Sequence, residues 1–476
     1  MAGDFDMSGA ARAGSLAQSD RLRLADHAAH GLARSRPDLS AHVVTTTAQA
    51  VVLTCASLAG AVGLAAMDWQ AWSAATFVLS LAFFGTVALR SALALIGGRR
   101  SGKTDAIATD ELPCYTLLVP LLREANVLPR LARALLLLDY PHDRLDIKLI
   151  VEEDDDETHN AACELEGRGP FEVICVPAGR PQTKPRALNF ALNFAHGEFS
   201  VVYDAEDRPE RDQLRKAVAA FRAAPDTLAC LQARLNFFNA RENWLTRLFA
   251  LDYASWFDVM LPALDRIGVP IPLGGTSNHF RTEVLRQLGG WDAFNVTEDA
   301  DLGIRIAQLG RRVAMLDSTT FEEAPNRTDV WLKQRTRWMK GYMQTWLVHT
   351  RRPFALVRHA GPVGALAFHL LIGGSVLAAL AAIPLWIVFA CSLVLPHAPM
   401  AIPLAGFAAG NLMLTVLAML GPVRRGWRDL SPYGLSVALY WTLISLAAMR
   451  ALVQLARDPF HWEKTEHGLS KATGGR

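Results

Sequence analysis

The chain is predicted to fold as an α/β domain on a doubly wound, mainly parallel sheet, flanked on both sides by transmembrane helices. Three observations predict this. Residues 112–325 alternate strand-like and helix-like segments, the pattern of parallel strands joined by helical crossovers. Long apolar runs lie before and after that region. Within it, the apolar run 199–203 ends abruptly in Asp204, Glu206 and Asp207, as a buried parallel strand does where its C-terminal end opens into a site.

Composition agrees. Hydrophobic residues make up 51% of the 476, and the excess gathers toward the two ends. A formal net charge of +2 is too balanced for a nucleic-acid partner. The six cysteines are scattered without a Cys-x-x-Cys pair. They fit a reduced compartment and offer neither a zinc site nor a disulfide framework. The first long apolar run begins near Val43, so no secretory leader is expected.

Residues 1–42 read as a polar N-terminal tail, mobile, with a short helix possible over 22–33 before Pro37. Residues 43–98 hold two spans, 48–67 and 71–96. Asp68-Trp69-Gln70 between them carries no Lys or Arg, whereas Arg99, Arg100 and Lys103 follow. The positive-inside rule then places the link outside and the next domain in the cytoplasm.

In the domain 112–327, strands are expected at 115–122, 147–151, 171–176 and 199–203, and helices at 124–138, 185–195 and 300–309. Two acidic clusters, 152–156 and 204–207, then end strands on one edge of the sheet, where such sheets bind ligands. Residues 328–358 read as an interfacial helix, with Trp331 and Trp346 at headgroup depth. Apolar runs return at 362–395, 401–420 and 435–455, the C-terminal membrane helices of 362–456. Arg351, Arg352 and Arg358 before the first run, and Arg424, Arg425 and Arg428 after the second, give an in–out–in path. A full crossing by the last run would strand Arg457, Lys464 and Lys471 outside. With Arg450 inside it, an interfacial or re-entrant path is expected for 432–456, before the short tail 457–476.

The chemistry-bearing residues fall into four groups. Clustered carboxylates repel unless a cation holds them, and hard divalent ions such as Mg²⁺ or Mn²⁺ prefer oxygen. Asp204, Glu206 and Asp207 are the candidates. Lys184, opening a helix, is a point charge suited to phosphate or a nucleotide edge. In Thr297-Glu298-Asp299 a carboxylate at a helix start keeps its charge and can accept a proton from an attacking hydroxyl. The plainer alternative is a helix cap made by Thr297. Gln334, Arg337 and Trp338 stand at i, i+3 and i+4 on one helix face. They offer an amide, a guanidinium for diphosphate and an indole for stacking.

In sequence order these are Glu152-Glu153-Asp154-Asp155-Asp156, Asp204-Ala205-Glu206-Asp207, Thr297-Glu298-Asp299 and Gln334-Arg335-Thr336-Arg337-Trp338. Over about residues 112–350 the chain resembles an inverting family 2 glycosyltransferase of the processive, cellulose-synthase-like kind. That family carries an acidic cluster, a DxD, a TED and a QxxRW in this order between membrane helices. Residues 232–238 and 274–281 also resemble segments of its domain.

The resemblance implies a GT-A-like fold and a multi-pass enzyme of the inner or plasma membrane with a cytoplasmic catalytic domain. The implied reaction transfers a sugar from a UDP-sugar, of the UDP-glucose or UDP-N-acetylglucosamine type, to the end of a growing β-linked polysaccharide. It implies Asp299 as the general base. Glu153 or Asp154 would contact the donor base, and Lys184, Asp204, Glu206 and Arg337 would complete the donor site. Glu298, Gln334 and Trp338 would meet the acceptor, and Asp204, Glu206 and Asp207 the metal. Two departures stand out: Glu206 replaces the usual second Asp of the DxD, and the first motif lacks its usual Asp-Asp-Gly. No C-terminal β-barrel for a cyclic dinucleotide is evident, so such control would need a regulatory or export partner. Two other readings remain open: single addition to a lipid-linked or short acceptor, and a non-catalytic component of an export complex. Asp204, Asp299 and Arg337 argue against the last.

Overall fold

The computed structural model describes residues 16–66, 68–97, 107–394, 401–464, 468 and 470. Arg99, Arg100, Lys103, residues 395–400 and Lys471 lie outside the described residues. The strands are β1 (Tyr115–Leu121), β2 (Leu145–Glu152), β3 (Phe171–Val176), β4 (Phe199–Val202), β5 (Arg208–Pro209), β6 (Leu228–Phe237), β7 (Asn278–Arg281) and β8 (Arg312–Glu322). They form one sheet in the order β3-β2-β1-β4-β7-β6-β8-β5.

The half β3-β2-β1-β4 is parallel, and its strands are mostly apolar, as covered faces require. The other half is mixed. β7 runs antiparallel to β4 and β6, β6 pairs parallel with β8, and β5 is antiparallel to β8. The reversal has a local cause. β7 follows the turn Gly274-Gly275-Thr276 on the ligand edge, so it enters the sheet from the edge where β4 leaves it. The helix expected over 124–138 spans only Leu128–Leu136. Pro129 stands in its first turn, where a missing N–H is tolerated.

The expected mobile tail is corrected from residue 18 onward. Gln18–Ser35 is a helix that buries Leu24, Ala25, Ala28 and Leu32. It packs on the helix Lys184–Leu192, where Asn189 Nδ2 donates to Ala28 O at 3.0 Å. Arg351 then gathers the carbonyls of Pro37 and Ser40 at 3.1 and 2.9 Å. The small Ala stripe reads as polar sequence but packs closely.

A helix Thr47–Ala66 precedes the helix Trp69–Ile96. Among the described residues four helices are long and apolar enough to cross a membrane: Gln70–Ile96, Pro353–Val394, Ile402–Arg425 and Arg428–Arg457. Apolar side chains stand on their outer surfaces, among them Leu95 at 86% and Ile402 at 77% exposure, as a lipid-facing surface requires. The run Pro353–Val394 breaks at Gly361, whose φ of 72° favours glycine.

From Gln334 onward the helix Thr328–His349 is covered on all sides, and only Thr328, Asp329 and Lys333 near its start are exposed. Trp331 is fully buried against Tyr440, which corrects its expected place at the headgroups; Trp346 is half-buried against His369. The cover comes from the helix Val437–Arg457. Arg335 donates to the Tyr440 hydroxyl at 2.7 Å, and Arg450 to Thr336 at 3.3 Å and Glu463 at 2.5 Å.

Candidate active site

The C-terminal ends of β1, β2 and β4 open into a cavity of about 290 Å³. Its wall brings together Lys184, Asp204, Glu206, Glu298, Asp299, Gln334, Arg337 and Trp338. These come from four separate stretches of sequence, as expected.

Three expected residues stand elsewhere. Glu153 and Asp154 lie exposed beyond the end of β2. Glu153 accepts from Ala178 N, and Asp154 from Gln182 Nε2, each at 2.9 Å. The member of that run that reaches the cavity is Glu152, because it is still in the strand and its side chain follows the pleat. Asp207 is buried behind the turn. Its carboxylate accepts from Asp204 N at 2.8 Å and from the Thr276 hydroxyl, so it shapes the turn that presents Asp204 and Glu206.

Lys184 opens its helix and donates to Asp204 Oδ1 at 2.6 Å and Gly275 O at 2.7 Å. Burial disfavours its ammonium, but Asp204, Asp299 and Glu298 together outweigh this, and the lysine holds its proton more tightly than usual. Glu298 and Asp299 occupy the first turn of the helix Glu298–Gln308, and Thr297 makes no side-chain cap there. Glu298 Oε1 and Asp299 Oδ1 are buried without a hydrogen-bond partner among the described residues. Burial, then the neighbouring Glu298, pushes the Asp299 carboxyl well above the ordinary range. Burial thus overrides the charge expected at this helix start; Lys184 pulls the other way, and only the ionised carboxylate can accept a proton.

Across the cavity, Arg337 lies over Trp462 at 4.3 Å, and its Nε finds no partner among the described residues. Trp338 packs on Tyr253, 6.1 Å away and nearly parallel, and the Arg335 guanidinium lies 4.7 Å over its ring. Gly341, one turn on, lets the helix Thr328–His349 approach closely; a Cβ there would strike Thr297.

Sequence reasoning missed several residues. Glu322, at the end of β8, lines the cavity. Burial, then the charges of Asp207 and Glu206, raises its carboxyl. Its signal was present: Phe321-Glu322-Glu323 repeats the apolar-to-acidic switch of β4. Burial also lifts the Glu152 carboxyl to about 7, against the pull of Arg186. Trp462 and Lys464 close one side of the cavity from a C-terminal strap. Lys340 holds that strap through His461 O at 2.9 Å. Gln344 ties it to the loop before Asp299: Nε2 donates to Pro459 O and Phe294 O at 3.2 Å each, and Oε1 accepts from Val296 N at 3.0 Å. Nothing in hydropathy marks such long-range ties.

Comparison with known proteins gives the same picture. A model of the glycosyltransferase-like family 2 matches residues 113–341. A probable glycosyltransferase, YdaM of Bacillus subtilis (strain 168), is 28% identical over 262 residues, 52% of this chain and 60% of that protein. A beta-monoglucosyldiacylglycerol synthase of Trichormus variabilis is 29% identical over 240 residues, 50% of each chain. The chain thus spans only 50–60% of the length of these relatives. Among solved structures, the mannosyltransferase PcManGT of Pyrobaculum calidifontis, in complex with GDP-Man and Mn2+, superposes with a TM-score of 0.52 at 22% identity. The match covers 81% of this chain and 99% of that one, and the likeness is one of fold. With the family match spanning residues 113–341 and its motifs converging on one cavity, the α/β region of this chain is a family 2 glycosyltransferase domain.

Proposed function

We propose that this transferase sits in the inner or plasma membrane, takes a sugar from a UDP-sugar on the cytoplasmic side, and adds it with inversion to the end of a growing β-linked glycan. The run of the cavity carries this reading. From the carboxylates it continues past Trp338, Tyr253, Phe257 and Tyr342 to Arg90, Ser375 and Trp441 on apolar helices. Aromatic faces suit sugar rings, and an acceptor lying there would leave between helices long enough to cross a bilayer. Arginines at the domain-side ends of those helices support the cytoplasmic side: Arg424 donates to Gly97 O at 2.6 Å and Arg425 pairs with Asp258 at 2.7 Å. The contacts of Tyr440 and Arg450 with the helix Thr328–His349 support a path for 437–457 along the membrane rather than across it.

In this reading the acceptor oxygen bonds to the anomeric carbon as the bond to the diphosphate breaks on the opposite face. Asp299 takes the hydroxyl proton. Lys184 and Arg337 receive the charge on the departing diphosphate. Glu298, Gln334 and Trp338 orient the acceptor end. Glu152, not Glu153 or Asp154, faces the donor base from the end of β2. A divalent cation fits the donor end, where burial and mutual repulsion raise Glu206 and Glu322. Among the described residues no three ligating side chains form a ready set, so Asp204 and Glu206 would hold Mg²⁺ or Mn²⁺ together with donor phosphates. An ion held there would supply positive charge to offset that of the leaving diphosphate.

A second reading, one addition to a lipid-borne acceptor, is favoured by the membrane end of the cavity and by the relative named as a glucosyldiacylglycerol synthase. Incubation with labelled UDP-glucose or UDP-N-acetylglucosamine, followed by product sizing, separates the two. A long product is expected; a single added sugar in the lipid extract selects the second reading. No transfer from either donor would sink both.

A further inference from the structure

The membrane end of the cavity holds a charge that the transfer chemistry leaves unused. Arg90 lies on the helix Trp69–Ile96, about 9 Å in from the end that meets the α/β domain. That end is fixed by Arg266 and Arg424, which donate to Ile96 O and Gly97 O. Arg90 Nη2 donates to Ser375 Oγ at 2.7 Å, and the guanidinium lies 5.5 Å over the Trp441 ring. Its Nε is buried with no hydrogen-bond partner among the described residues. Asp252 is the carboxylate whose charge reaches it, but Asp252 is already paired with Arg335. Two guanidiniums therefore share one carboxylate in a wall that also holds Tyr253, Tyr342, Trp441 and Ile444.

An under-compensated guanidinium among apolar helices is costly, and such charges mark ligand paths. An anionic group in the cavity would relieve it. The donor diphosphate is already provided for at the other end by Lys184 and Arg337. We propose that Arg90, held in place by Ser375 and Trp441, forms an acceptor subsite for the phosphate of a lipid-borne acceptor. The proposal rests on reading this cavity as the acceptor path and deepens the second of the two readings, one addition to a lipid-borne acceptor. The depth favours a lipid: a phosphate at Arg90 leaves its tail among membrane helices and directs the rest of the headgroup toward Asp299.

The test uses the full chain in neutral detergent micelles with three probes: dioctanoyl phosphatidic acid, dioctanoylglycerol and inorganic phosphate. Wild type should retain phosphatidic acid about tenfold more tightly than the uncharged lipid with the same chains. Arg90→Gln should erase that preference while UDP binding, measured in parallel, stays unchanged. Ser375→Ala should weaken it in part. Equal retention of both lipids by wild type overturns the proposal without any variant, as does an undiminished preference in Arg90→Gln. Displacement of the lipid by inorganic phosphate at equal concentration would assign the site to free phosphate and reject a lipid source. Wild type that binds phosphatidic acid but transfers sugar to no acceptor would sink the acceptor-path reading and leave the anion site standing. Sugar transfer without lipid preference would do the reverse.

Discussion

The two ends of the cavity follow opposite electrostatic plans. At the sheet end, Glu124, Glu152, Asp204, Glu206, Glu298, Asp299 and Glu322 face Lys184, Arg337 and Lys464. The negative excess is buried, and the carboxyls of Glu152, Glu206, Asp299 and Glu322 are raised. At the membrane end, Arg90 and Arg335 face Asp252 among aromatic rings. One end is under-supplied with cations and the other with anions. On the proposed reading donor and acceptor meet different chemistry, and substitutions should separate them.

The sharpest separation is expected at Asp299. Asp299→Asn keeps the shape of the helix start but cannot take a proton. Turnover should fall by about a hundred- to ten-thousandfold, while UDP binding by calorimetry stays near wild type. Near-normal turnover would remove Asp299 as the base and with it the functional meaning of the sheet end. Removal of divalent cations should come next. Activity in excess chelator should drop to a small residue and return with Mg²⁺ or Mn²⁺, and phosphatidic acid retention at Arg90 should not change. Full activity in chelator would mean that Lys184 and Arg337 neutralise the diphosphate alone.

A smaller effect tests the boundary between the ends. Arg337→Lys replaces a planar fork by a point charge, and a loss of about tenfold in kcat is expected from transfer assays. Trp338→Ala should lose more than Trp338→Phe, because Arg335 and Tyr253 pack on that ring. Wild-type rates in both Arg337→Lys and Trp338→Ala would leave the helix Thr328–His349 as scaffold only.

How far each end could be read from the sequence follows from its physics. The strands β1 to β4 were legible because both faces are buried, so apolar runs continue to the ligand edge. β6 was hidden: all ten of its residues are buried, yet Gln232, Arg234 and Asn236 are among them. Arg234 is paired with Asp317, a partnership hydropathy cannot show. Lys184, Asp204, Glu206, Glu298, Asp299, Gln334, Arg337 and Trp338 were legible through spacing and resemblance. That Glu152 rather than Glu153 or Asp154 reaches the cavity was not legible, because it depends on the residue at which the pleat ends. Arg90, Trp462 and Lys464 reach the cavity only through tertiary packing, and no local pattern announces that.

The smallest expected effect concerns the stored repulsion at the sheet end. Burial raises the Glu152 carboxyl from its usual 4.5 to about 7. Between those values the folded chain binds more protons than the unfolded one, so its stability must fall as pH rises through that window. Glu206, Asp299 and Glu322 are shifted in the same direction and act with the same sign. Without donor, the melting temperature in micelles should therefore decline between pH 5 and pH 8. UDP with Mg²⁺ should flatten the decline by supplying cation to the carboxylates. Glu152→Gln cannot ionise but still offers an oxygen to Arg186, so it should remove its own share, about 2–4 °C of the drop. Arg90→Gln, at the other end, should leave the slope unchanged. A melting temperature that rises over this window, or a slope altered by Arg90→Gln and not by Glu152→Gln, would mean that the negative excess is screened in the empty enzyme. The two ends would then not be electrostatically distinct.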